Sequence, residues 1–221
     1  MSQQFFTARF AERKIDADYT KHELSDIAEV VPLLDTLDGI NVTSPYKQAV
    51  MPYLDSIDPA AEAIGAVNVV YHRRGYNTDW VGVTKALTPH IRKRGEQALV
   101  LGSGGAANAV KYALQKMGAG VTIVSRQQGK GDMTYAELTN EVIAANRIIV
   151  NCTPLGMFPL NEETPELPWD GLSKKHLLFD CIYNPEQTVF LTKGKEHGAE
   201  TLNGYSMLLG QAEAAAEIFE L

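Results

Sequence analysis

The chain has 221 residues, 45% hydrophobic and 21% charged, with a formal net charge of −7. That length builds one large or two small packed domains, and the composition is that of a globular rather than a disordered protein. An acidic balance with no basic stripe excludes a general nucleic-acid binder, and no apolar run approaches a membrane span. Arg73-Arg74 and Arg92-Lys93-Arg94 are short basic clusters, read as a turn tip and a solvated helix end. Cys152 and Cys181 each close an apolar run, the habit of reduced structural cysteine. The five histidines have no metal-ligand spacing, so no metal is expected. With no signal-peptide hydrophobic region at the N-terminus, the expected location is cytoplasmic.

Phe6, Phe10 and Ile15 predict a helix at the start of the sequence. The next informative segment is Asn41-Val42-Thr43-Ser44-Pro45-Tyr46-Lys47. Ser44 is a good N-cap, and Pro45 suits the first helical position, where its missing N–H is no loss. Val50, Tyr53, Leu54 and Ile57 then carry the predicted helix forward. Lys47 falls in its first turn, beside the positive end of the helix dipole, which disfavours a charged ammonium. A lysine so placed is a candidate for proton transfer near neutral pH; the alternative is an ordinary surface lysine. Gly65 to Val70 reads as a short buried strand, followed by a turn at His72 to Gly75 and by Asn77-Thr78-Asp79. Asp79 opens a helical pattern (Val81, Thr84, Leu87, Ile91) predicted to reach about Arg94, and a helix N-terminus favours its anion. A plain N-cap is the alternative for Asp79.

Past Gly95 the chain alternates apolar strand runs with helical patterns, the signature of a parallel α/β unit. Strands are predicted over Ala98–Leu101, Val121–Val124, Ile148–Asn151 and Leu177–Cys181. The first runs into Gly102-Ser103-Gly104-Gly105-Ala106-Ala107 and then a helix holding Val110, Leu114 and Met117. A strand, a tight glycine turn and a helix N-terminus make a pyrophosphate cradle. Gly104 permits backbone approach to phosphate, and Ala107 permits close helix–strand packing. The second strand ends Val124-Ser125-Arg126, where an NAD site usually places an acidic residue. A guanidinium suits a 2′-phosphate, so Arg126 favours NADP over NAD. Gly204 to Leu221 predicts a long helix with Met207, Leu208, Gln211, Ala215 and Ile218 on one side.

Taken in order, the blocks at 41–47, at 65–68 (Gly-Ala-Val-Asn) and at 77–82 (Asn-Thr-Asp-Trp-Val-Gly) resemble the substrate domain of the shikimate dehydrogenases. Three later blocks match the same family: Asn151 to Met157, Asp180 to Pro185 followed by Thr188, and Leu202 to Met207 leading to Gln211. The resemblance implies an α/β fold of two lobes. Residues 1–82 with 205–221 would bind substrate, 95–204 would form a Rossmann-type lobe for NADP, and a helix at 83–94 would link them. The last helix would return to the N-terminal lobe. Lys47 and Asp79 would be the catalytic pair, with Ser2, Thr43, Asn68, Tyr183 and Gln211 contacting substrate. Gly102, Ser103, Gly104, Gly105, Ala106, Ser125 and Arg126 would hold the cofactor, with Gly204 and the backbone at Cys181 near the nicotinamide. The family commonly has Asn-Arg-Thr where this chain has Ser125-Arg126-Gln127.

The implied reaction is the NADP-dependent reversible reduction of 3-dehydroshikimate to shikimate, in aromatic amino-acid precursor biosynthesis. The partner is then a small-molecule substrate, without nucleic acid, membrane or metal; the oligomeric state is not legible. The rivals are a quinate/shikimate dehydrogenase using NAD or NADP, and a truncated dinucleotide-binding protein without turnover. Family members also begin with a strand and a Gly-x-Pro loop ending in Ser-x-Ser, whose hydroxyls hold the substrate carboxylate. This sequence opens Met1-Ser2-Gln3-Gln4, and Ser2 falls where the second serine would stand. A truncated or mis-started chain is expected, ahead of a rearranged sheet or a strand from another chain. Strands near Ala17–Glu23 and Ile40–Val42 would then lose a shared neighbour.

Overall fold

The computed structural model describes residues 2–221; Met1 lies outside them. Helix α1 (Ser2–Arg13) buries Phe6 against Tyr19, the rings stacked with centroids 5.1 Å apart. Residues 15–24 follow without a regular element, so the strand expected near Ala17–Glu23 does not form. A strand needs a ladder partner for its N–H and C=O groups. Here the Ala17 amide turns back to Ile15 O at 3.1 Å, and the Gln3 side chain donates to the Tyr19 carbonyl at 3.0 Å. Asp26 and Glu29 then close a capping box that leads into α2 (Val30–Thr36).

The first sheet is assembled from β1 (Gly39–Asn41), β2 (Ser56–Ile57), β3 (Val69–Tyr71) and β4 (Arg74–Tyr76), in the order β1-β3-β4-β2. Helix α3 (Pro59–Ile64) lies between β2 and β3 in the chain. The β3–β4 hairpin turns on His72 and Arg73, both at positive φ (47° and 58°), as a two-residue turn matched to strand twist requires. Arg73 bonds Asp35 at 2.8 Å and Asp55 at 3.2 Å, and Arg74 reaches Asp58 at 3.5 Å. These arginines sit among carboxylates at a turn tip.

Helix α4 (Asp79–Leu87) is shorter than the predicted run to Arg94. Pro89 has no N–H to continue the ladder, and the chain tightens into a 3-10 turn over Thr88–His90. Then comes a parallel sheet built from β5 (Gln97–Leu101), α5 (Gly105–Lys116), β6 (Gly120–Ser125), β7 (Met133–Thr134), α6 (Asn140–Ala145), β8 (Ile148–Asn151), β9 (Leu177–Asp180), α7 (Val189–Glu196) and β10 (Glu200–Leu202). Its strand order is β10-β9-β8-β5-β6-β7. The order reverses between β5 and β8, and in such sheets ligands bind outside the carboxyl ends of the strands at that crevice. Both faces are covered, which is why these strands read as continuous apolar runs. Ala98 and Val100 pack with Val110, Leu114 and Met207 on one face; Leu99 and Leu101 pack with Ile143, Phe190 and Leu191 on the other.

Helix α8 (Tyr205–Ile218) crosses back to the first sheet. It packs along α4, where Gly82 and Gly210 let the two backbones approach, and Ala215 and Ala216 join Phe6 and Val69 in one buried cluster. Phe219 covers Gly39 and meets Tyr71 edge-on at 5.8 Å. Among the described residues no helix is long and apolar enough to cross a membrane, and no group of His, Cys, Asp and Glu could hold a metal ion.

Candidate active site

Lys47 and Asn68 reach one carboxylate, and Gln211 joins them through Asn68 and Thr78. Asp79, 6% exposed, lies in the first turn of α4. Lys47 Nζ donates to its Oδ2 at 2.6 Å, and Asn68 Nδ2 donates to its Oδ1 at 3.1 Å. Asn68 is held in turn: its Oδ1 accepts the Thr78 amide at 2.7 Å, and its Nδ2 faces Thr78 Oγ1 at 2.9 Å. Gln211 on α8 brings Oε1 to 3.4 Å from Asn68 Nδ2 and 3.5 Å from Thr78 Oγ1. Nδ2 has two hydrogens and three acceptors around it, so Gln211 is the most loosely engaged of the set and the freest to turn to another partner. Beneath these side chains the backbone is cross-tied. Val67 N donates to Lys47 O at 2.7 Å, Asn77 Nδ2 to Ala66 O at 2.9 Å, and Asp79 N to Asn77 Oδ1 at 3.0 Å.

One local expectation is corrected. Lys47 does not stand on a helix: residues 44–50 form hydrogen-bonded turns, with Val50 N bonding Tyr46 O at 3.0 Å, and a 3-10 turn follows over Met51–Tyr53. Pro52 breaks the pattern, because its ring clashes with a helical carbonyl one turn back and it offers no N–H. Ile57 consequently belongs to β2. Ser44 therefore caps no α-helix, and the electrostatic partner of Lys47 is the Asp79 carboxylate rather than a helix dipole. Nor is Asp79 a plain N-cap. Thr78 occupies that position without a side-chain cap bond, leaving the Asp79 oxygens to Lys47 and Asn68.

Thr43 is exposed, and its carbonyl accepts the Tyr46 amide at 3.0 Å. Tyr183, also exposed, lines a cavity of about 610 Å³ with Gln4, Asn184, Glu186, Asn203 and Tyr205. Ser2 opens α1 two residues before Gln4. Among the described residues the side-chain hydrogen bonds of the Lys47–Asp79 pair run to Asn68 and not to Thr43, Tyr183 or Ser2.

At the crevice between β5 and β8, Gly102 adopts φ +107°, and a Cβ there would stand 3.2 Å from the Cys152 carbonyl oxygen. Only glycine suits both the angle and the approach. No side chain caps the N-terminus of α5, and the space beyond Gly104 is open. First-turn amides at Gly105 and Ala106 are therefore available to an anion. Ser103 Oγ and Ser125 Oγ stand 3.2 Å apart at the ends of neighbouring strands, and Arg126 is exposed at the rim. This set fits a dinucleotide carrying an extra phosphate. Helix α5 also docks on the Asn68 segment: Asn108 Nδ2 bonds Ile64 O at 3.1 Å, and a Cβ on Gly105 would touch Ala66 Cβ at 3.6 Å.

Cys181 follows β9, and Gly204 N donates to Ile182 O at 2.9 Å, where any Gly204 Cβ would run into the Cys181 carbonyl. Beside it lies a polar knot that sequence reasoning missed as a unit. Buried Asp180 accepts from Thr188 Oγ1 at 2.7 Å, Ile182 N at 3.0 Å and Asn151 Nδ2 at 3.1 Å. Burial pushes its carboxyl up to about 6 despite those three donors. Thr78 also joins the site through Asn68, and its place just before Asp79 at a helix start is its signal in the sequence.

A glycine turn at the carboxyl ends of a parallel sheet, docked on a second α/β lobe that presents a lysine–carboxylate pair, defines a two-lobed Rossmann-type protein. The shikimate dehydrogenase (NADP(+)) of Desulforamulus reducens is 39% identical over 205 residues, covering 82% of this chain and 70% of that protein. The chain belongs to the shikimate dehydrogenase family. The family pattern for the shikimate dehydrogenase substrate binding domain matches residues 1–70. The crystal structure of shikimate dehydrogenase from Aquifex aeolicus superposes with a TM-score of 0.86 at 35% identity, covering 99% of this chain and 86% of that one. That of the Thermus thermophilus enzyme in complex with NADP(H) and shikimate gives 0.85 at 28% identity, covering 99% and 87%.

Proposed function

We propose that this chain catalyses the NADP-dependent, reversible reduction of the ring carbonyl of 3-dehydroshikimate to shikimate. The observation that carries the proposal is the 2.6 Å Lys47–Asp79 pair, locked to Asn68 and Thr78 beside an uncapped glycine-turn helix. When bound, the reduced cofactor NADPH would supply the hydride to the carbonyl carbon, and NADP(+) would accept it in the oxidising direction. In the reducing direction Lys47 Nζ gives a proton to the ring oxygen, and in the oxidising direction it takes that proton back. Asp79 orients the ring hydroxyls and holds the ammonium in place. Asn68, Thr43 and Gln211 donate to or accept from the same hydroxyls, Gln211 by rotating away from Thr78. Tyr183, which lines the 610 Å³ cavity, and Ser2 border the substrate. Gly102 to Ala106 take the pyrophosphate, Ser125 and Arg126 the 2′-phosphate end, and Gly204 with the Cys181 backbone flank the nicotinamide.

The same proposal assigns substrate binding to residues 1–82 with 205–221, dinucleotide binding to 95–204 and the connection to 83–94. It places the protein in the cytoplasm, with a small-molecule partner and no nucleic acid. The test is oxidation of shikimate by the chain, followed through absorbance of the reduced cofactor, with quinate and NAD as comparison arms. Lys47→Ala should lower kcat by roughly 10²- to 10⁴-fold, the usual contribution of a positioned acid–base group. Unchanged kcat in a folded Lys47→Ala protein would remove Lys47 from the mechanism, and turnover of quinate but not shikimate would replace the substrate.

A further inference from the structure

Cys152 and Cys181 are the first residues beyond β8 and β9, and the two strands are parallel neighbours in register, Asn151 opposite Asp180. The cysteines therefore stand opposite one another, with Sγ atoms 3.6 Å apart, as free and half-buried thiols. Adjacent strands lie about 4.8 Å apart, within the span of Cα separations that a disulfide bridges. Nothing in the proposed hydride and proton transfer uses a thiol.

From this geometry we infer that Cys152 and Cys181 are an oxidation site, closing to an intramolecular disulfide with low-molecular-weight disulfides and thereby reporting redox conditions at the cofactor crevice. The chemistry balances in two exchanges. Cys152 Sγ, as thiolate, attacks one sulfur of the external disulfide R–S–S–R, forming a mixed disulfide and releasing RS⁻, which takes up the proton Cys152 gave. Cys181 Sγ then attacks the Cys152 sulfur, breaks the mixed bond and releases the second RSH. Two thiols of the protein are oxidised by two electrons, and one external disulfide is reduced to two thiols. Cys152 acts first, because contact with the Cys152 sulfur and burial push the Cys181 thiol well above the usual range. Cys181 still resolves the intermediate, since a neighbour already in contact has a very high effective concentration.

Closure has a consequence that follows from what the two carbonyls touch. The Cys152 carbonyl borders Gly102 at the glycine turn, and the Cys181 carbonyl borders Gly204 at the start of α8. Shortening the sulfur separation from 3.6 Å to about 2.05 Å fixes the rotamers of both side chains at the ends of β8 and β9, directly beside both neighbours. The loss of activity expected below rests on the functional proposal above; formation of the bond does not.

The experiment treats the full chain with oxidised glutathione, then measures free thiols under denaturing conditions, intact mass and peptide linkage. The expected result is a fall from two titratable thiols to none, a mass lower by two hydrogen atoms, and a linked peptide pair containing Cys152 and Cys181. Dithiothreitol should reverse all three. Cys152→Ala should form no bridge, and its activity should not change on oxidation, whatever its starting level. In the parent chain shikimate oxidation should drop at least roughly tenfold on oxidation, because small displacements at a reacting centre are costly. Persistence of both thiols, or stable mixed disulfides with glutathione at either residue, would overturn the inference. A bridge that forms without change in turnover would overturn its regulatory half. Absence of any dehydrogenase activity in the reduced chain would sink the functional proposal alone, since thiol count and mass need no turnover.

Discussion

Replacing Gly82 by alanine tests whether α8 is pressed against α4 as closely as the structure has it. A Cβ added there would overlap the Met207 carbonyl oxygen and stand 3.0 Å from Gln211 N and 3.2 Å from Gln211 Cβ. The obstacle is helix backbone, which cannot rotate aside as a side chain can. Relief requires α8 to retreat by about an ångström, because carbon atoms pack at roughly 3.5–4.0 Å. Overpacking of this kind costs about 1–3 kcal/mol, and the upper end applies where backbone must move. Alanine returns about 1 kcal/mol through its helix propensity over glycine. The net loss is on the order of 2 kcal/mol, or a fall in Tm of about 4–8 °C for a chain of this size. Gln211 moves with α8, so its 3.4 Å approach to Asn68 Nδ2 opens as well. Urea unfolding and a thermal scan measure the stability, and KM for shikimate reads the displacement of Gln211. A Gly82→Ala protein as stable as the parent, within about 0.5 kcal/mol, would refute the close packing of α8 on α4.

Asp180 sets a pH dependence whose sign follows from burial. Its folded carboxyl titrates at about 6 against an ordinary 3.8, so the native state binds more protons than the unfolded state between those values. Stability should fall by about 3 kcal/mol as pH rises through that window and then level off; Asp180→Asn should remove this component of the slope in urea unfolding from pH 4 to 7. At the cofactor rim, Arg126→Gln should raise KM for NADP by roughly 10- to 100-fold, the worth of a charge-assisted bond, while leaving KM for NAD nearly unchanged. Equal effects on both cofactors in steady-state kinetics would assign Arg126 to a general electrostatic role.

The parallel sheet was legible in the sequence because each strand is buried on both faces. Val100, Ile149 and Leu178 leave no polar alternation, and the glycine run from Gly102 marks a turn that few other residues can make. The helix carrying Val110 and Leu114 announced itself by period. The segment of Lys47 carries a capping signature, but Pro52 denies it a helix, so local chemistry names the residue and misjudges its setting. The strand near Ala17–Glu23 failed for a non-local reason, because a strand exists only with a partner, which no run of side chains by itself supplies. Asn68, Asp79 and Gln211 could each be named from sequence, yet their meeting depends on α8 crossing back over α4 at Gly82 and Gly210. The facing of Cys152 and Cys181 likewise depends on β8 and β9 being neighbours in register. Burial pattern, turn residues and caps act within a few residues, so the strands of the parallel sheet, the glycine turn and the chemistry each segment carries can be read locally. Which of those groups share a site depends on the fold as a whole, because distances between segments are set by packing of helices and sheets far apart in the chain.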